Sequence, residues 1–105
     1  MAALPESYQQ VKQKYPQVMQ HYEALGEAAS GAGPLDAKSS ALVKLGMCLG
    51  AGLEGGAHAS VRKALDAGCT PNDVRHVALL AVTTLGFPAM ARARSWVEDV
   101  LAKPD

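Results

Sequence analysis

The chain has 105 residues, a length that suits one domain and excludes two of ordinary size. Ten basic and ten acidic residues cancel, and no Lys/Arg cluster stands out, so counterion-driven binding to nucleic acid has nothing to work with. Almost half the residues are apolar, yet the aromatics amount to one Trp, three Tyr and one Phe, so Ala, Leu and Val must build the core through helices that approach closely.

The opening Met1-Ala2-Ala3-Leu4-Pro5-Glu6 lacks the basic start and apolar run of a signal peptide. The apolar stretches from Ala41 to Leu53 and from Val77 to Ala91 are broken by Lys44 and by Gly86-Phe87-Pro88, and both are too short to span a bilayer. A cytoplasmic protein without membrane contact is the expectation. Cys48 and Cys69 form no Cys-x-x-Cys and suggest no secreted disulfide scaffold.

In chain order, Tyr8, Val11, Tyr15, Val18, Tyr22 and Leu25 recur at the three- and four-residue spacing of an amphipathic helix. Pro16 cannot sit inside that helix but fits the first turn of a new one. The pattern therefore predicts a short helix near 5–14, a longer one from Pro16 to about Ala29, and a connector over Ser30-Gly31-Ala32-Gly33-Pro34. Asp36 caps a third helix to about Gly50, apolar on almost every side through Leu42, Val43, Leu45, Met47, Cys48 and Leu49. So apolar a helix in so small a chain implies covering by a second copy.

After the glycine-rich Gly50–Gly56, a fourth helix is expected from about Ala57 to Ala67, stopped by Gly68. Thr70-Pro71-Asn72-Asp73 combines an N-cap, a proline at the first position and an acid in the first turn, and starts a fifth helix that Gly86-Phe87-Pro88 breaks. A last helix from about Ala89 to Ala102 places Ala93, Trp96, Val97, Val100 and Leu101 together. No stretch alternates with period two. The fold class is all-α, with five to six helices in one domain over 1–105.

Residues 16 to 102, above all "GGAHASVRKALDAGCTPNDVRHVALLAVTTLGFPAMARARS", resemble the carboxymuconolactone decarboxylase family, which includes the alkylhydroperoxidase-D-like proteins. The likeness lies in the order of features: His58 opening a helix, Ala67-Gly68 ending it, the Thr70-Pro71 start, and Gly86-Phe87-Pro88-Ala89. The Pro34-Leu35-Asp36 entry and Leu42-Val43-x-Leu45 fit as well. The resemblance implies an alkylhydroperoxidase-D-like helical domain and a homotrimer or hexamer. His58, His76 and Glu54 are compatible with zinc but come from different segments with no His-x-x-x-His spacing, so no cofactor or metal is expected.

The redox branch of that family carries Cys-x-x-Cys-x-x-x-His at this helix, where a helix N-terminus stabilises a thiolate. Counted back from His58, its cysteine positions fall on Ala51 and Glu54, so the dithiol cycle cannot run here. The decarboxylase branch resembles Glu-x-x-x-His, which Glu54 and His58 match. The resemblance implies that His58 moves protons or orients substrate, with Glu54 beside it and a small organic acid or lactone as ligand. The chain departs from the family elsewhere. The redox branch's relay glutamate falls on Ser39 or Ala41, a later polar position on Leu80, and a tyrosine near Thr84, while His76 stands where glutamate is usual.

Three functional classes follow. The first is an acid/base enzyme of His58 and Glu54, with Arg62 one turn on to meet a carboxylate and His76 as a further ligand-binding or supporting residue. The second is a peroxiredoxin-like thiol antioxidant activity through Cys48, against which stands Cys48 as a small buried hydrophobe. The third is a ligand-binding or assembly module that has kept the fold and lost the site. Cys69 reads as a turn residue, His21 as a surface residue, and Arg92 and Arg94 as cations able to face an anion.

Overall fold

The computed structural model describes residues 6–102. Pro5, where the opening helix was expected to start, lies outside the described residues. Six α-helices and one short 3-10 turn make up the described part, with no strand among the described residues: α1 Glu6–Lys14, α2 Pro16–Ser30, α3 Ala37–Ala51, α4 Glu54–Asp66, α5 Pro71–Leu80, the turn Ala81–Thr83, and α6 Phe87–Leu101. Among the described residues no helix is long and apolar enough to cross a membrane. The chain divides into two compact units, one ending at Leu35 and one beginning at Asp36.

The first unit is a helical hairpin. Glu6 in the first turn of α1 and Lys12 and Lys14 in its last complement the helix dipole. The break falls at Tyr15, and Pro16 takes the first position of α2, where its missing N–H costs no hydrogen bond. Glu23 on α2 accepts hydrogen bonds from the Tyr8 hydroxyl and from Lys12 Nζ, the latter at 3.3 Å. Those donors hold its carboxyl below the usual glutamate range, and the same bond raises the Tyr8 hydroxyl above its own. The periodic stripe is present but open: Val11, Tyr15, Val18, Tyr22 and Leu25 are all exposed.

The second unit packs four helices. Helix α3 lies on α4 and α5, and α6 closes the other side against the same two, so the order around the bundle is α3, α4, α6, α5. Its core is small-chained: Leu45, Leu49, Ala57, Val61, Ala64, Cys69, Val74, Ala78, Ala93 and Val97. The largest fully buried side chains are Leu45, Val61, Val74 and Val97, so alanines at the contacts are what let the backbones come close. Leu45 and Leu49 are buried, whereas Val43 and Met47 on the same helix are exposed.

Local chemistry sets the helix ends. Asp36 caps α3 by accepting from the Ser39 N–H at 2.7 Å. Thr70 and Asp73 form a reciprocal capping box on α5, with bonds of 3.1 Å and 2.8 Å. Helix α5 ends at Leu80, earlier than the apolar pattern suggests. The β-branched Val82-Thr83-Thr84 loses side-chain freedom in a helix, and the chain tightens into a 3-10 turn before Gly86, at φ +97°, releases it into α6.

Candidate functional site

The largest difference from the sequence expectation is the start of α4, at Glu54 rather than near Ala57. Gly52, at φ +72°, adopts the left-handed conformation that ends α3. The Leu53 N–H donates to the Cys48 carbonyl at 2.9 Å and the Gly52 N–H to that of Leu49 at 3.2 Å, the paired bonds of a Schellman motif. The chain turns so tightly that Leu53 becomes the N-cap of the next helix. Glu54 takes its first position, where a carboxylate meets the positive end of the dipole.

That early start puts Glu54 and His58 one turn apart on a single face, rather than leaving Glu54 in a loop. From α6, Asp99 reaches the same place: its Oδ2 lies 3.1 Å from His58 Nε2. A carboxylate only accepts, so Nε2 is the donor in this bond and carries the proton of the neutral ring. Nδ1 is then the basic nitrogen, and no protein group among the described residues bonds to it. The His58 side chain is 25% exposed, enough for a ligand to reach it.

Glu54, His58 and Asp99 each offer one ligand atom, and these atoms lie within 4.8 Å of one another. One imidazole and two carboxylates make a donor set suited to a divalent cation such as zinc as well as to proton transfer. Glu54 and Asp99 are exposed and His58 half-buried.

The remaining expected residues are dispersed. Arg62, one turn beyond His58, is half-buried and makes no ion pair among the described residues. Cys48 lies on the other side of α4: its Sγ is 3.5 Å from Ser60 Oγ and 3.1 Å from where a Cβ on Gly56 would stand. At 100° per residue, Gly56 and Ser60 point 160–200° away from His58, so thiol and imidazole occupy opposite faces of α4. Cys48 is half-buried, short of the full burial the apolar helix suggests. Cys69 is buried rather than a simple turn residue. Its thiol donates to the Lys38 carbonyl at 3.8 Å, and burial pushes its pKa up. His76 is exposed on α5, facing the cleft toward α6 and outside the Glu54–His58–Asp99 group. His21 is exposed.

Asp99 is the residue that sequence reasoning missed. The available signal was a carboxylate beside Trp96 at the edge of the apolar stripe of α6. Arg92, one turn before Trp96, stacks its guanidinium 5.1 Å from the indole centroid and lies against Gly52. That stacking is internal to α6; the register that brings Asp99 to His58 comes from the packing of α6 on α4, with Ala93 and Val97 buried in the core.

Residues 16–99 match the carboxymuconolactone decarboxylase family, four fifths of the chain and across both units. The chain belongs to the carboxymuconolactone decarboxylase family. No curated protein and no solved structure matches it significantly. Among the described residues, the Glu54-x-x-x-His58 turn brings a part-exposed histidine together with two carboxylates.

Proposed function

We propose that this family member is a small acid/base enzyme acting on an organic acid or lactone, with His58 as the proton-transfer residue. The observation that carries the reading is the His58 Nε2–Asp99 Oδ2 hydrogen bond of 3.1 Å with Glu54 on the same face. A carboxylate holding one imidazole nitrogen fixes the tautomer and the ring's orientation, as acid/base work at that ring requires. Asp99 is a positioning residue, and Glu54 adds a second negative charge beside the imidazolium. Arg62, free of ion pairs among the described residues, meets the substrate carboxylate.

In a decarboxylation, the bond from carbon to the carboxylate breaks and carbon dioxide departs. The electron pair stays on the substrate, delocalised toward the lactone carbonyl, and the His58 imidazolium delivers a proton from Nδ1 to carbon. One proton is consumed and no redox partner is needed. Release of carbon dioxide from carboxymuconolactone and from a panel of related lactones and unsaturated acids tests this. His58→Ala is expected to lower kcat by about 10²–10⁴-fold, the usual share of a positioned acid/base group. Asp99→Asn is expected to lower it by about tenfold, well below the ~10⁴-fold of a buried triad aspartate, because Asp99 is half exposed. Unchanged turnover in His58→Ala would sink the reading, and no turnover across the panel would favour a non-catalytic binding module.

Thiol chemistry at Cys48 is the weaker reading, since neither His58 nor a second cysteine serves its sulfur. Self-association belongs to the proposal as well: a homotrimer or hexamer would cover Val43, Met47 and Leu53, which stand 46%, 65% and 54% exposed on one copy.

A further inference from the structure

Helices α5 and α6 border a second concave site, an open cleft unlike the carboxylate-rich one. The cleft, of about 440 Å³, is lined by Asn72, Arg75, His76 and Leu79 from α5 and by Met90 and Arg94 from α6. Its size falls in the range of small-molecule sites. Two guanidinium groups and an imidazole line it, and no carboxylate does.

The two arginines are in different states. Arg75 is held: its Nε donates to Glu98 Oε1 at 2.7 Å, its Nη2 to Glu98 Oε2 at 3.4 Å, and its Nη1 to Asn72 Oδ1 at 3.4 Å. Its charge is matched by Glu98, and its plane is fixed as a rigid wall of the cleft. Arg94 has no ion pair among the described residues, and it acts on Glu98 only through space. Asp73, the carboxylate near His76, keeps its charge while accepting from the Thr70 N–H at the helix cap, and it does not line the cleft. Among the lining residues together with Glu98, two guanidinium groups face one carboxylate, an excess of one positive charge. The remaining walls are apolar: Met90 is buried, and Leu79 is left 49% exposed, the kind of surface a ligand body would cover.

We infer that this cleft binds a small organic monocarboxylate, its carboxylate on Arg94 and its apolar body against Leu79 and Met90. The single excess charge favours a monoanion, and the apolar walls favour an organic body over an inorganic ion. Glu98 and Asp99 are neighbours on α6 but, about 100° apart around it, reach different helices, Glu98 toward α5 and Asp99 toward α4. The cleft and the His58 group are therefore separate, and the cleft stands or falls independently of the proposed acid/base reaction.

Titration of the full chain with benzoate, followed by NMR of backbone amides and of the Leu79 and Met90 methyls, tests the inference. Benzoate is expected to shift those methyls with a single saturating curve. Arg94→Ala is expected to raise the dissociation constant by about tenfold or more, the cost of losing a charge-assisted contact, and Arg94→Lys by less. Arg94 is exposed, so the core methyl resonances of Val61 and Val97 should stay in place in both variants. Benzyl alcohol, lacking the charge, and inorganic phosphate, lacking the apolar body, are each expected to bind more weakly than benzoate. Equal affinity in Arg94→Ala overturns the inference, as do benzoate shifts confined to His58, Glu54 and Asp99. Phosphate binding as tightly as benzoate overturns the ligand class.

Discussion

Gly55 and Gly56, neighbours in the first turn of α4, are expected to answer alanine substitution with opposite signs. A Cβ on Gly55 meets nothing within 4 Å. Both glycines have helical neighbours and neither has positive φ, so alanine there gains helix propensity, roughly 0.5–1 kcal/mol. A Cβ on Gly56 stands 3.1 Å from Cys48 Sγ and 3.4 Å from Leu53 Cβ. The Leu53 contact is ordinary but the Cys48 one is tight, and the thiol that must give by a few tenths of an ångström is held 3.5 Å from Ser60 Oγ. Overpacking of this kind costs about 1–3 kcal/mol, which exceeds the propensity gain and leaves a net loss of about 1 kcal/mol. At roughly 4–8 °C per kcal/mol for a domain of this size, Gly55→Ala raises the melting temperature by a few degrees and Gly56→Ala lowers it by about as much. Thermal unfolding followed by circular dichroism reads both. Adding Cys48→Ala removes the sulfur, so Gly56→Ala should cost less in that background, a coupling of about 1 kcal/mol in a double-mutant cycle. Equal and favourable shifts from both glycines would refute the close packing of α3 on α4. So would a cycle with no coupling.

The two thiols should differ: alkylation of the native protein at pH 8 labels half-buried Cys48 well before Cys69, whose pKa burial raises; matching rates would contradict the burial. Acid should weaken the second unit by a defined route. Backbone N–H bonds lower the carboxyls of Asp36 and Asp73 from the ordinary 3.8, and the Arg75 guanidinium lowers that of Glu98 from 4.5. A lowered folded-state pKa contributes stability that is complete above the ordinary value and lost as pH falls through the folded one. Urea midpoints should therefore hold at pH 6 and decline below about pH 4, less steeply in Asp73→Asn; parallel curves for the two proteins would remove Asp73 from the account. Light scattering should give the mass of a trimer or hexamer, and Met47→Glu should lower it; a parent protein that runs as a monomer ends the self-association proposal.

Most of the helical framework could be read because its boundaries are local chemistry. Thr70-Pro71-x-Asp73, Asp36 and Pro16 each satisfy or excuse backbone N–H groups within three residues, so the sequence alone locates those helix starts. The start of α4 could not be read that way. Leu53 offers no capping side chain, and Gly55-Gly56 suggests a loop; the helix begins there because the Schellman turn at Gly52 and the close approach of α3 over Gly56 leave it no room to wander. Those are tertiary facts. The same limit hid Asp99: nothing within four residues of it on α6 points to a histidine on α4. Only the bundle order α3, α4, α6, α5, with Ala93 and Val97 of α6 buried in the core, turns that carboxylate toward His58. Glu54 and His58 were legible as a motif. What makes them a site is a third residue supplied by packing, so the chemistry of this turn depends on the register of α6 as much as on its own sequence.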